Sequence, residues 1–429
     1  MGLVVQKYGG SSVADAASVQ RVARRITDTV AAGDDVAVVV SAMGDTTDDL
    51  IQLAHQVSPQ PPARELDMLL TAGERISMAV LAMAISDLGY QARSYTGSQA
   101  GLITDAVHGR AKIVDVTPKR IEDAIADGFI PIVAGFQGVS RATKDVTTLG
   151  RGGSDTTAVA VAAALGATRC EIYTDVDGVF TADPRVVARA RQLRVLSYEE
   201  TLELAAYGAK VLHIRSVEYA RRCAIPLVVR SSFSSNSGTL ITTAAERDRI
   251  LAGLGEASSM EQAIISGVAH DMSVAKITII GVPDKLGEAA AIFETLASAG
   301  VNLDMIVQNV SADGRTDITF TLPMDDGARA MSALEQRRDD IGFKSLRYDD
   351  EIGVVSVVGA GMRTNHGVSA TTFRALADAG VNVEMISTSE IRISVVTRAR
   401  DTLTAVRAIH TAFDLDGDGQ AQVYAGTGR

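Results

Sequence analysis

The sequence predicts an α/β protein in two parts: a mainly parallel sheet covered by helices, followed by two repeated βαββαβ modules. Three observations carry that prediction. Apolar runs of strand length alternate with longer helical patterns over about the first 230 residues, the arrangement expected of an α/β sheet. Some of these runs, such as Val36–Val40, are apolar throughout, which fits strands buried on both faces. Finally, Ala299-Gly300-Val301-Asn302-Leu303-Asp304-Met305-Ile306 recurs as Ala379-Gly380-Val381-Asn382-Val383-Glu384-Met385-Ile386, 80 residues later. The expected boundaries are 1–245 for the first domain, 246–263 for a linker, 264–345 for one module and 346–429 for the other.

Local signals place the elements in order. Leu3–Gln6 reads as the first strand, and Val19, Val22, Ala23, Ile26 and Val30 recur at helical spacing before Gly33 ends the helix. Val36–Val40 is the next strand, and a long helix is expected over residues 64–87. Further strands fit Phe129–Ala134, Glu171–Tyr173 and Leu227–Arg230, with a helix over Thr156–Leu165. Ser197-Tyr198-Glu199-Glu200 has capping-box spacing and opens a helix through Ala206. Polar Ser231–Gly238 follows the last of these strands, so the first domain ends between there and Met260. In the repeats, the same offset aligns Gly281 with Gly361, Gly287 with Gly367, Phe293 with Phe373 and Leu296 with Leu376. Such a pair serves equally as a dimerisation scaffold or, by pseudo-symmetry, as a frame for small-molecule sites.

Composition narrows the function. At 429 residues and 46 % hydrophobic, the chain can bury a large core. A net charge of −11 with no long Lys/Arg block argues against nucleic-acid or membrane-surface binding. Cys170 and Cys223 are too few and too separated for a disulfide framework, which fits a reducing, cytoplasmic setting. No signal peptide or membrane-length apolar run is expected. Asp414-Leu415-Asp416-Gly417-Asp418-Gly419 imitates the start of a calcium loop, but its twelfth position is Ala425, so it reads as a polar turn. No dedicated metal cage is expected.

The chemistry lies in glycine-bearing loops. Thr148-Leu149-Gly150-Arg151-Gly152-Gly153-Ser154-Asp155 runs into an apolar helix whose first amides and positive dipole end suit an anion. Glu171 lies about where a dinucleotide's ribose-binding acid would, but Asp155 occupies the third glycine position and puts a negative charge where a pyrophosphate packs. Lys7-Tyr8-Gly9-Gly10-Ser11 follows the first strand, at the carboxyl edge where open α/β sheets bind ligands. Its Lys precedes the glycines, so it is not a Walker loop. Ser41-Ala42-Met43-Gly44-Asp45-Thr46-Thr47 follows the next strand, and Thr174-Asp175-Val176-Asp177-Gly178, closed by Asp183-Pro184-Arg185, follows a third. The six His, at 55, 108, 213, 270, 366 and 410, all fall outside these loops.

These loops, with Thr71-Ala72-Gly73-Glu74-Arg75 and the paired modules, resemble the aspartate kinases of the amino-acid kinase superfamily, in the short form with tandem ACT domains. The resemblance covers essentially the whole chain. It implies an amino-acid kinase-type sandwich and transfer of the ATP γ-phosphoryl group, with Mg²⁺ on the nucleotide, to the side-chain carboxylate of L-aspartate. The product, 4-phospho-L-aspartate, opens the pathway to lysine, threonine and methionine. A carboxylate nucleophile is ionised at neutral pH and needs no general base, so alignment and charge neutralisation dominate.

By position in the family, Lys7 bridges the transferring group while Tyr8, Gly9, Gly10 and Ser41 line the phosphates. Glu74 accepts the substrate ammonium and Arg151 its α-carboxylate, with Thr47, Phe136, Gly152, Gly153 and Ser154 completing the pocket. Asp155 either orients Lys7 or serves the metal. Thr174, Asp175, Phe180, Asp183, Arg185 and Lys210 form the nucleotide side; Phe180 stands where many members carry Tyr. The modules imply feedback by lysine, threonine or both, with contacts at Asp284, Asn302, Asp304, Gln308 and Thr316 in the first and Asn382, Glu384 and Ser389 in the second. A homo-oligomer through the modules and a shorter regulatory subunit started at Met260 are the expected assemblies. The rivals are another small-molecule kinase of the superfamily and a non-enzymatic amino-acid sensor.

Overall fold

The computed structural model describes residues 2–208, 211–253, 264–309, 314–360, 362, 365, 367–417 and 419–424. The chain divides into two units, the first made of Met1–Phe180, Ala188–Ala257 and Gly417–Arg429, and the second of Thr181–Val187 and Ser258–Asp416.

In chain order the first unit carries β1 (Leu3–Tyr8), α1 (Ala16–Ala31), β2 (Asp35–Val40), α2 (Thr46–Val57), α3 (Ala63–Asp87), β3 (Ala92–Tyr95), β4 (Leu102–Thr104), β5 (Ile113–Val116) and α4 (Lys119–Ala126). It continues through β6 (Ile130–Ala134), β7 (Gln137–Ser140), β8 (Val146–Thr148), α5 (Gly153–Ala164), β9 (Arg169–Thr174), β10 (Val195–Ser197), α6 (Tyr198–Ala206), α7 (Ile214–Cys223), β11 (Leu227–Ser231), β12 (Thr239–Thr242) and α8 (Ala244–Gly253). An eight-stranded sheet runs β10-β12-β11-β9-β1-β2-β6-β3. Only β11 and β12 pair antiparallel in it; the other neighbours are parallel. Parallel pairing sends the loops after β1, β2, β6 and β9 to one edge. Strand order also reverses at β1, which lies between β2 and β9, and such switch points open a crevice for ligands.

The core of this sheet is built as its sequence requires. Val4, Val5, Val38, Val39 and Val40 are fully buried, as expected of strands covered on both faces. Helix α5 is buried along nearly its whole length, so its apolar sequence reflects complete burial and not a one-sided stripe. The predicted capping box is present: the Glu200 backbone N–H donates to Ser197 Oγ, and Glu200 Oε2 accepts from the Ser197 N–H. A small second sheet, β5-β4-β7-β8, was not legible in the sequence. The expectation of no membrane-length apolar run needs correction: α3 is long and apolar enough. Nine of its residues are buried, however, Asp67 and Glu74 among them.

The second unit holds β13 (Ile264–Asp271), β14 (Val274–Pro283), α9 (Glu288–Ser298), β15 (Ile306–Gln308), β16 (Arg315–Pro323), α10 (Gly327–Gln336), α11 (Arg338–Ile341) and β17 (Ser345–Asp349). After them come β18 (Ile352–Ala360), α12 (Gly367–Asp378), β19 (Met385–Thr388), β20 (Arg392–Arg398) and α13 (Ala399–Ala412). Two antiparallel sheets form, β15-β16-β14-β17 and β13-β18-β20-β19. The 80-residue repeat is visible in the match of β14, α9, β15 and β16 to β18, α12, β19 and β20. Strand β13 precedes the first repeat in sequence, yet it pairs with β18 and completes the second repeat's sheet. The first sheet is closed instead by β17 on β14.

Candidate active site

The site of the first unit assembles at the carboxyl edge of its large sheet. Lys7 lies near the end of β1, largely buried, and its Nζ is 2.6 Å from Asp155 Oδ1 in the first turn of α5. The carboxylate also sits favourably at the positive end of the helix dipole. Gly10 lets two loops close: a Cβ there would lie 2.9 Å from the Gly44 carbonyl oxygen, and the Gly44 N–H donates to the Gly10 carbonyl at 3.1 Å. In the same frame, the Ser41 N–H donates to the Tyr8 carbonyl and the Gly9 N–H to that of Tyr173. Thr47 lies in the first turn of α2.

Glu74 comes from the middle of α3 and is only 3 % exposed. Its Oε1 accepts from the Ala42 N–H at 3.2 Å, while its Oε2 is buried with no hydrogen-bond partner. Burial raises this carboxyl to about 7, because desolvation disfavours the charged form. An orphaned buried carboxylate oxygen is costly. A ligand ammonium would satisfy it.

The glycine loop is held from several sides. Gly150 and Gly152 adopt left-handed φ of 77° and 68°, open to glycine at little cost. Phe136 also has a positive φ, 66°, rare for an aromatic residue. Its N–H donates to Thr157 Oγ1, and its carbonyl accepts from Leu149 N–H, so both sides of this turn are tied to the loop and helix. Ser154 is buried against Gly135. Arg151 is exposed and makes no ion pair with a described carboxylate.

Three further residues brace this loop and were missed in the sequence. Asp67 on α3 accepts from Thr148 Oγ1, the Gly109 N–H and His108 Nδ1. Arg215 donates to the carbonyls of Leu149 and Ala111. The His213 ring packs on Gly152 so closely that a Cβ there would be 2.1 Å from its Cγ. Burial, the largest influence on His213, lowers its pKa. Although no His falls within the loops in sequence, His213 reaches one in space and His108 does so through Asp67. Asp67 could have been found from its place two helical turns before Glu74; His213 and Arg215 carried no local signal.

Of the residues expected to receive the nucleotide, Thr174 Oγ1 donates to Asp175 Oδ1 at 2.9 Å, and Phe180 bridges Gln192. Asp183 and Arg185 belong to the second unit, with the Arg185 N–H donating to Asp183 Oδ1. Lys210 and Met260 lie outside the described residues. Glu171 is buried and bound by Arg169, Tyr173 and Gln6, so it is a structural carboxylate.

Among the effector candidates, Asp284, Asn302, Asp304, Gln308, Asn382 and Ser389 are exposed, whereas Thr316 is buried and bonded to the Asn309 carbonyl. Glu384 is held by Lys276 and Arg398, which also engage Asp349. That cluster already satisfies its carboxylate. An effector ammonium would therefore have to displace a protein cation from it.

A model of the amino acid kinase family matches residues 2–231, and an ACT-domain model matches 277–337 and 355–413. The aspartokinase of Mycolicibacterium smegmatis is 62 % identical over 431 residues, 100 % of either chain. The chain belongs to the aspartokinases. Family members from Mycobacterium tuberculosis H37Rv and Corynebacterium glutamicum are 61 % and 58 % identical, again over 100 % of both chains. Among solved structures, aspartate kinase from Synechocystis is 40 % identical with a TM-score of 0.53, over 97 % of this chain and 70 % of that one. E. coli aspartokinase III, in complex with aspartate and ADP, shares the fold at a TM-score of 0.80 and 23 % identity, over 96 % of this chain and 100 % of that one. As an aspartokinase, the protein is a kinase of amino-acid biosynthesis with an amino-acid kinase fold and tandem ACT modules, and the sensor reading falls.

Proposed function

We propose that the enzyme transfers the γ-phosphoryl group of ATP to the side-chain carboxylate of L-aspartate, giving 4-phospho-L-aspartate and ADP. The observation that carries this is Glu74: a buried carboxylate with one orphaned oxygen, on the same edge as the Lys7–Asp155 pair. Glu74 takes the substrate ammonium and exposed Arg151 its α-carboxylate, which leaves the side-chain carboxylate for attack. It is already ionised at neutral pH. Lys7 then neutralises charge on the transferring group, as phosphoryl transfer requires, and Asp155 orients Lys7 through their ion pair. Thr174, Asp175 and Phe180 serve the nucleotide. No group of three or more His, Cys, Asp or Glu side chains among the described residues is arranged to cage a metal. Mg²⁺ would enter with the nucleotide, with Asp155 available to the complex, and would supply charge neutralisation.

The ACT modules bind an amino-acid end product, lysine, threonine or both, and assemble the enzyme as a homo-oligomer in the cytoplasm. A structure of the E. coli neighbour in complex with lysine and aspartate motivates the lysine arm of the test. Hydroxylamine trapping of acyl phosphate, with Mg-ATP and L-aspartate, tests the reaction, and adding lysine plus threonine tests the control. Aspartate-dependent hydroxamate that falls with effector is the expected result. Hydroxamate from another amino acid but not from aspartate would overturn the substrate assignment.

A further inference from the structure

The loop Thr174–Phe180 is held by a distant part of the chain. Residues 419–424 return to the first unit, where the Ala421 N–H donates to the Ala188 carbonyl and Val423 bridges Val176. Tyr424 makes three separate contacts. Its backbone N–H donates to the Asp175 carbonyl at 2.9 Å, its hydroxyl donates to Asp177 Oδ2 at 3.1 Å, and its ring stacks on Phe233 at 5.9 Å between centroids and 8° between planes. Arg21 lies over the same Phe233 ring. Asp177 is buried, and its other oxygen accepts from Ser234 Oγ, while its carbonyl accepts from Gln192 Nε2. Tyr424 thus supplies one of three hydrogen bonds that fix Asp177, two residues past Asp175.

We propose that Tyr424 is a positioning residue for the nucleotide-side loop: through Asp175 and Asp177 it holds Thr174 and Asp175 in the arrangement that receives ATP. Tyr424 itself touches no reacting group. The inference rests on reading Thr174–Phe180 as the nucleotide side. It follows from geometry because a strap bonded at the backbone of one loop residue and the carboxylate of another restricts the loop's main chain directly. Losing a single hydroxyl bond corresponds to a change of about two- to ten-fold in affinity.

The test uses the full-length enzyme and steady-state kinetics of Tyr424→Phe, Tyr424→Ala and, as a control, Asp175→Ala. Tyr424→Phe keeps the ring stack and is expected to raise KM for ATP about two- to ten-fold; Tyr424→Ala raises it further. Neither changes KM for aspartate. Adding Asp177→Asn to Tyr424→Phe should cost less than the product of the single effects, since both remove one contact. A strap that is merely structural would lower the thermal midpoint and kcat while leaving KM for ATP unchanged, which overturns the proposal if Asp175→Ala does raise that KM. If Asp175→Ala leaves KM for ATP unaltered, the nucleotide-side reading itself is wrong and the proposal falls with it.

Discussion

Glu74 offers a prediction in which stability and function move in opposite directions. Burial lifts its carboxyl from an ordinary 4.5 to about 7, a difference of about 3 kcal/mol between its protonation states. Because the folded-state value is raised, the folded chain holds the proton more tightly than the unfolded one. The associated stability is fully present below about pH 4.5 and is lost as pH rises to about 7. Glu74→Gln cannot ionise. Without ligand at pH 8, it should therefore be more stable than the parent by up to about 3 kcal/mol, and its stability should lack the parent's decline between these pH values. On the proposed role it also loses a charge-assisted bond to the substrate ammonium, worth about 1.5–3 kcal/mol, so KM for aspartate should rise about ten- to hundred-fold. Urea unfolding from pH 4 to 8 and hydroxamate kinetics against aspartate measure the two effects. A variant that unfolds like the parent at every pH and keeps its KM would refute the reasoning.

Other perturbations separate the remaining parts. Lys7→Met should lower kcat about 10²–10³-fold with little change in KM for aspartate, as expected for a group acting on charge in the transition state; single-turnover rates would check that chemistry is the step affected. Gly152→Ala combines a left-handed backbone with a Cβ 2.1 Å from the His213 ring, so kcat/KM for aspartate should fall about five- to hundred-fold, from strain of about 1–3 kcal/mol. Because the His213 Cβ would itself lie 2.3 Å from the added Cβ, His213→Gly in that background removes the clash but not the φ, and partial recovery of kcat/KM is expected. In the second unit, Glu384→Gln releases Lys276 and Arg398 from a partly exposed cluster. A loss of about 1 kcal/mol is expected, readable as a lower thermal midpoint of the full chain.

The pattern of what the sequence disclosed has a physical origin. The valine strands, the capping box at Ser197 and the glycine loop all depend on neighbours within a few residues, so their residue types announce them. The repeat was equally plain because two copies of one βαββ unit must solve the same packing problem. By contrast, β13 could not be assigned to the second sheet from its own residues: an edge strand needs only an open partner, and β18 provides one 83 to 96 residues further on. The braces of the glycine loop failed to show for a similar reason. Asp67, His213 and Arg215 act through contacts spanning 41 to 104 residues, where nothing local marks them. Local chemistry therefore marked the candidate groups, while tertiary packing decided how rigidly they are held. Lys7, Glu74 and Asp155 are ordinary side chains on ordinary elements; their pairing, burial and orphaned oxygen arise only when β1, α3 and α5 converge. It follows that mutations at the distant braces should impair the site without removing any group that touches substrate.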